Sequence, residues 1–251
     1  CERWLIGRGK ELKASAYRQE RQLMIGVLKA AERDGIILDN PASQLPNKKL
    51  PKIVIQVPTH DQFRSLIKQM RQADSRGIHG AYLVELLAYS GMRLNEAINL
   101  MWSEIDLDRG CFTVTGGEYG TKNHEIRTVP LFPAMRELLE RIRSGRSEIN
   151  SDYVTPIKGA RTLMASAAKK AGIPKFTHHS MRHYFCSNAI EAGIDFKVIA
   201  GWLGHKDGGI LVAKTYGHLR DTHSFEMAKR MTSSAQDQKA SNVLSLTDKS
   251  A

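Results

Sequence analysis

Apolar positions recur at helical spacing along most of the chain and alternate at strand spacing over only two short stretches. Residues 11–38 read as a helical segment. Leu23, Val27, Ala30 and Ala31 lie on one side, Leu28 adjoins them, and Arg18, Arg21 and Lys29 are polar and basic. Gly35 and then Asn40-Pro41 stop it. Residues 41–58 carry four prolines and three lysines, which predicts an extended basic linker. Thr59 is an N-cap signal, with Asp61 in the first turn of a helix through Phe63, Leu66, Ile67 and Met70. After Gly80, residues 81–90 are apolar almost all round, so that helix is expected to be buried and to end at Gly91. Residues 95–101 resume as a short helix.

The alternating stretches come next. Residues 111–115 and 125–131 read as strands, with Gly116-Gly117 breaking the first and a turn at residues 120–124 between them. They make a small antiparallel hairpin or three-stranded sheet. Pro133 opens an amphipathic helix through Met135, Leu138, Leu139 and Ile142. Residues 161–171 form another, closed by Gly172 and Pro174. Residues 224–231 read as a last short helix, and the polar, Ser-rich residues 233–251 as a flexible tail. The fold class is therefore mainly α with a small antiparallel β-sheet, α+β. The expected domains are a helical piece at 1–45, a linker at 46–58, a main domain at 59–232 and the tail at 233–251.

Composition narrows the setting. Hydrophobic residues make up 41% of the 251, enough for a core. The formal net charge of +11 suits a nucleic-acid or other anionic partner, or a solubilising surface. No apolar run approaches the ~20 residues of a membrane span, and the charged opening CERWLIGRGKELK is unlike a signal peptide. Three widely spaced cysteines, Cys1, Cys111 and Cys186, argue for reduced thiols and a cytoplasmic protein. Because the chain opens on Cys1 and about 40 helical residues rarely make a stable domain, it is expected to be part of something longer.

The candidate chemistry gathers in residues 177–216. His179 and Arg182 are three apart at a helix start, on one face and near the positive end of the dipole. A phosphate there would meet backbone N–H groups, an imidazole and a guanidinium fork. Arg182 alone reads more readily as a surface ion pair. Gly204 suits a left-handed cap that would aim His205, which also reads as a capping or core histidine. Tyr216 alone is a packing tyrosine. His178, His179 and His183 cluster, but the glutamate of the His-Glu-x-x-His pattern and any Cys-x-x-Cys pair are missing, so neither metal nor cofactor is expected.

Taken in order, the set is more specific. Arg93 follows Tyr89-Ser90-Gly91-Met92 and precedes Glu96, and Lys122 lies in the hairpin turn. With YSGMRLNEAINLMWSEIDLD, TKNHEIRTVPL, HHSMRHYF, WLGH and KTYGHL, the chain resembles the tyrosine recombinase, or phage integrase, family over about residues 15–230. Residues 17–42 look like the last helix of that family's core-binding domain, which makes the 1–45 piece a partial core-binding domain and 59–232 the catalytic domain.

The resemblance implies the tyrosine recombinase catalytic-domain fold and roles for particular residues. Tyr216 would attack a DNA phosphodiester, giving a 3′-phosphotyrosine and a free 5′-hydroxyl without metal or ATP. Arg93 and Arg182 would clamp the non-bridging oxygens, and His205 would add a hydrogen bond. His179 would serve proton transfer and phosphate contact, and Lys122 would protonate the leaving oxygen. Glu96 and His183 match supporting positions. The implied partners are double-stranded DNA, a homotetramer on that DNA, and an accessory DNA-bending protein from the host or the element. The implied function is site-specific recombination that integrates or excises a phage or mobile element. The alternatives are a type IB topoisomerase-like nicking-closing enzyme and a catalytically inactive DNA-binding relative. His205 and Tyr216 are eleven apart where many relatives have nine, with the extra length at Asp207-Gly208-Gly209, so the tyrosine helix is expected to start later.

Overall fold

A computed structural model of the chain describes residues 2–49, 56–73, 77–116, 126–145 and 152–216, apart from the side chains of Glu2, Leu5 and Tyr216. The chain divides into two compact units, Cys1–Val54 and Ile55–Ala251.

The first unit is a helix pair, α1 (Glu2–Glu11) and α2 (Ala14–Arg33). The periodicity of residues 11–38 marks α2, but α1 was not legible in the charged opening. Arg8 makes a two-pronged ion pair with Glu20 across the two helices. The packed face of α2 is not the one the pattern selects. Tyr17, Met24 and Leu28 pack with Ala42 and Leu45, whereas Leu23 and Val27 are exposed within this unit. Residues 41–46 are not a free linker, since they lie back along α2. The Tyr17 hydroxyl donates to the Pro46 carbonyl, Arg21 donates to that of Leu45, and Asn40 donates to that of Ile25.

The second unit is built round a buried helix. It runs α3 (His60–Arg71), α4 (Gly77–Ser90), α5 (Leu94–Ile98), a 3-10 turn at Trp102–Glu104, β1 (Ile105–Asp106), β2 (Cys111–Val114), β3 (Arg127–Pro130), α6 (Pro133–Ser144), α7 (Arg161–Ala171), α8 (His178–Glu191), α9 (Phe196–Leu203) and α10 (Ile210–Tyr216). Thr59 caps α3 by accepting from the backbone of Gln62, whose side chain accepts from Thr59 N in return. α4 starts earlier than Gly80, which lies inside it. Its residues Leu83, Val84, Leu86 and Leu87 are fully buried, and it packs against α3, α6 and α8. The single acid in that apolar helix, Glu85, is held by Arg71 and Arg141, as a buried charge requires. The sheet is antiparallel in the order β1-β2-β3, with Phe112 opposite Val129. Phe112, Val114 and Val129 point into the core. β1 is the strand that two residues of pattern could not announce. A smaller apolar cluster joins α8, α9 and α10 through Phe185, Ile190, Ile199, Leu203 and Val212. The helix expected at residues 224–231 and the tail lie outside the described residues.

Candidate active site

Three helix ends meet at the site. α4 closes at Gly91, whose φ of 66° lies in the left-handed region. The chain then turns so that Arg93 stands at the start of α5. A side chain at position 91 would come within 2.5 Å of Phe185 and 2.9 Å of Leu203, so close approach as well as φ requires glycine there. α8 opens on Thr177, whose hydroxyl accepts from Ser180 N. This fixes a helix N-terminus, with its unpaired N–H groups and positive dipole end, beneath His178 and His179. α9 closes on Gly204, φ 67°, and His205 follows it.

Arg182 links the first and third of these ends. Its Nη1 donates to the Gly91 carbonyl at 2.6 Å and its Nη2 to the Leu203 carbonyl at 2.8 Å. Nη2 also lies 3.0 Å from His205 Nε2. The residue is 5% exposed, so its charge is held in a low-dielectric setting among carbonyl dipoles. Glu96 is equally buried. Its carboxylate accepts from Arg93 N at 2.9 Å and Arg93 Nη1 at 2.9 Å, and from Arg127 at 2.7 and 3.2 Å. Burial pushes the Glu96 carboxyl up, but the hydrogen bonds and charge of Arg127 and those of Arg93 outweigh it and hold it below the usual carboxylate range.

The site histidines His179, His183 and His205 are held toward the neutral form. His179 is pushed below the ordinary histidine value by burial and then by the charges of Arg182 and Arg93. His205 is lowered by burial and by Arg182, against an upward pull from Asp207. His183 is pushed down to about 4 by burial and by its neighbours His179 and Arg182, and its ring stands edge-on to that of His179 with centroids 4.4 Å apart. His178 is different. Its Nε2 accepts from Ala160 N at 3.0 Å, which latches α8 to the start of α7. Among the described residues no three His, Cys, Asp or Glu side chains gather as metal ligands would.

Five of the sequence-derived candidates, Arg93, Glu96, His179, Arg182 and His205, thus share one pocket of field and hydrogen bonds, with His183 directly beneath. Tyr216 is the last residue of α10, and that helix is seated on the same subdomain through the fully buried Val212. α10 starts at Ile210, directly after the Asp207-Gly208-Gly209 stretch that carries the extra length. Asp207 accepts from Gly209 N and Leu211 N and so caps it. Lys122 lies outside the described residues. Arg127 was missed: it stands in the quoted stretch TKNHEIRTVPL, but a lone arginine in a strand carries no signal of the glutamate it will meet 31 residues upstream. The arrangement presents two guanidinium groups, two neutral imidazoles and a helix N-terminus together, a chemistry suited to an anionic oxygen centre.

Comparison with known proteins agrees with this architecture. The sequence profile of the Phage integrase family matches residues 56–223. The tyrosine recombinase XerD of Neisseria meningitidis is 31% identical over 201 residues, which cover 75% of this chain and 67% of that protein. The Tn1549 transposon integrase in complex with circular intermediate DNA superposes with a TM-score of 0.65 at 18% identity, over 85% of this chain and 78% of that one. A lambda integrase tetramer bound to a Holliday junction does so with a TM-score of 0.67 at 19% identity, over 82% and 63%. These structures share the fold. The profile match over more than half the chain, together with the XerD identity, establishes that the chain belongs to the phage integrase family, the tyrosine recombinases.

Proposed function

We propose that the chain is a site-specific DNA recombinase that cuts and rejoins DNA through a tyrosine-linked intermediate. The observation that carries the reading is the meeting of Arg93, Arg182, His179 and His205 at the N-terminus of α8, on the subdomain that also seats α10 and its last residue, Tyr216.

In this reading a scissile phosphate of duplex DNA lies against Arg93 and Arg182, which neutralise its non-bridging oxygens and the charge that grows on them. The Tyr216 hydroxyl attacks the phosphorus. A free tyrosine has a pKa of about 10, so the attack needs a proton acceptor. His179 is kept neutral by its surroundings and supplies one. The bond from phosphorus to the 5′-oxygen breaks, Lys122 donates the proton that oxygen takes up, and a 3′-phosphotyrosine remains. The ester retains the energy of the broken bond, so a 5′-hydroxyl of a second strand reverses the step without ATP. His205 supports the clamp through Arg182, and Glu96 supports it through Arg93. The excess positive charge fits a surface that holds phosphates. The lambda integrase found as a tetramer on a Holliday junction favours a homotetramer on DNA for this chain too. The transposon and lambda neighbours favour a mobile-element role; the reading adds an accessory DNA-bending protein from the host or the element as a further partner.

The test is a nicked suicide duplex, selected from a randomised pool by capture of denaturant-resistant protein–DNA adducts. The expected result is an adduct formed in chelator that disappears in Tyr216→Phe while DNA binding persists. An adduct that survives the substitution removes Tyr216 as nucleophile. Failure to form one on any duplex that the chain binds favours a DNA-binding relative without catalysis.

A further inference from the structure

One buried arginine outside the expected set touches both halves of this site. Arg127 on β3 has a side chain only 11% exposed. Two of its nitrogens grip the Glu96 carboxylate, at 2.7 and 3.2 Å. Its Nε donates to the Trp202 carbonyl at 2.8 Å, in the last turn of α9 before His205. The chain is shaped to let it in. A Cβ on Gly204 would lie 3.0 Å from Arg127 Nη1, so a side chain there would crowd the guanidinium. Arg182 caps the next carbonyl of the same turn, that of Leu203. Two arginines therefore close the C-terminus of α9, each also reaching the segment that carries Arg93: Arg182 through Gly91, Arg127 through Glu96.

The charge count explains why this matters. Glu96 is a buried anion whose two oxygens receive four donors, two from Arg93 and two from Arg127. With Arg127 in place, the carboxylate is neutralised from the β3 side, and the Arg93 side chain stays 26% exposed. Without Arg127, the only cation left on Glu96 among the described residues is Arg93, and a buried carboxylate draws its remaining partner inward to recover the lost pairing. Lysine is no replacement, because one ammonium lacks the fork that spans a carboxylate and a carbonyl together.

We infer that Arg127 is a positioning residue, acting through Glu96 to hold Arg93 outward and through the Trp202 carbonyl to keep His205 in register with it. The inference rests on the strand-cleaving function proposed above. Being buried, Arg127 acts on the rate of the covalent step and not on DNA affinity.

The experiment measures single-turnover adduct formation on the selected suicide duplexes, at saturating protein, for the 251-residue chain with R127K and R127Q, each in a Glu96 and an E96Q background. With Glu96 present, both variants should slow the step by about 30-fold, the equivalent of ~2 kcal/mol at 1.36 kcal/mol per tenfold, while the Kd for the same duplex moves by less than about threefold. In the E96Q background the same substitutions should cost about threefold or less, because a neutral amide no longer pulls Arg93 inward and only the share carried by the Trp202 carbonyl remains. A purely structural role would give equal losses in both backgrounds, tracking the melting temperature. Equal losses, or an effect within about twofold, overturn the inference while the wild-type adduct leaves the parent reading intact. If R127Q does not fold, R127K and the E96Q/R127Q pair, which removes both buried charges, decide by the same criterion. A wild-type chain that forms no adduct at all sinks the parent reading and this one with it.

Discussion

Arg182 Nη2 lies 3.0 Å from His205 Nε2, and this contact assigns the imidazole. A guanidinium only donates, so Nε2 accepts and the ring proton sits on Nδ1. Protonating His205 would set a donor against a donor and a cation against Arg182. Its lowered pKa follows from burial first and that charge second.

The pH dependence has a definite sign. His178, His179, His183 and His205 all have folded values below the ordinary ~6.5 of the unfolded chain. Between the two values the unfolded state binds more protons, so stability is lost as pH falls. The melting temperature should be flat above pH 7 and decline from about 6.5. The decline should continue toward the low value of His183, about 4. Each ~1 kcal/mol lost lowers it by about 2–4 °C in a chain of this size. Scanning fluorimetry across pH 8 to 4 checks this; a maximum near pH 5 would contradict it. Adduct formation should fall only below the ordinary histidine range, as His179 in the folded protein gains its proton.

Gly91→Ala should be costly twice over. The left-handed φ costs an L-residue ~1–2 kcal/mol and the contacts with Phe185 and Leu203 add ~1–3 more. The Gly91 carbonyl would also shift from Arg182. Urea unfolding should show a loss of about 2–5 kcal/mol, and the residual folded protein should form adduct more slowly than wild type. An unchanged midpoint would mean the turn tolerates a side chain.

The capped loop before Tyr216 gives a separable test. Gly209 has φ 100°, and a Cβ there would stand 2.9 Å from the Phe196 backbone. Gly209→Ala should therefore displace the start of α10 more than Asp207→Ala, which removes a cap worth ~1 kcal/mol. Both should slow adduct formation with DNA affinity unchanged, Gly209→Ala the more. The reverse ranking would show that the cap, not the close approach, seats the helix.

Glu85 is structural by contrast. Glu85→Ala strips the partner from Arg71 and Arg141, which are themselves about a third exposed. The cost should be about 2 kcal/mol, below the usual range for a fully buried pair. The rate of the covalent step at a permissive temperature should stay within about twofold, since among the described residues the Glu85 carboxylate is held by Arg71 and Arg141 and not by a site group. A rate loss larger than the stability loss would place Glu85 in the site network.

Much of this protein is written locally. Thr59, Pro133, Gly91, Gly172 and Gly204 each set a helix end by cap, fixed φ or positive φ, and these act within a few residues. The buried character of α4 is likewise carried by its own composition. The ordered motifs around Arg93, His179, Arg182 and His205 made the phosphate chemistry legible before any contact was known. Tertiary structure decided what no local signal carries. It chose Tyr17, Met24 and Leu28 over Leu23 and Val27 as the packed face of α2, because the returning residues 42–45 cover only that side. It paired Ile105–Asp106 as an edge strand too short to show a period. It separated His178, spent on the Ala160 amide, from its neighbour His179, which stands in the field of Arg93 and Arg182. Above all it brought Arg127 to Glu96 and to the end of α9, since a buried charge must find its partners wherever the fold supplies them, and sequence distance does not limit where that is.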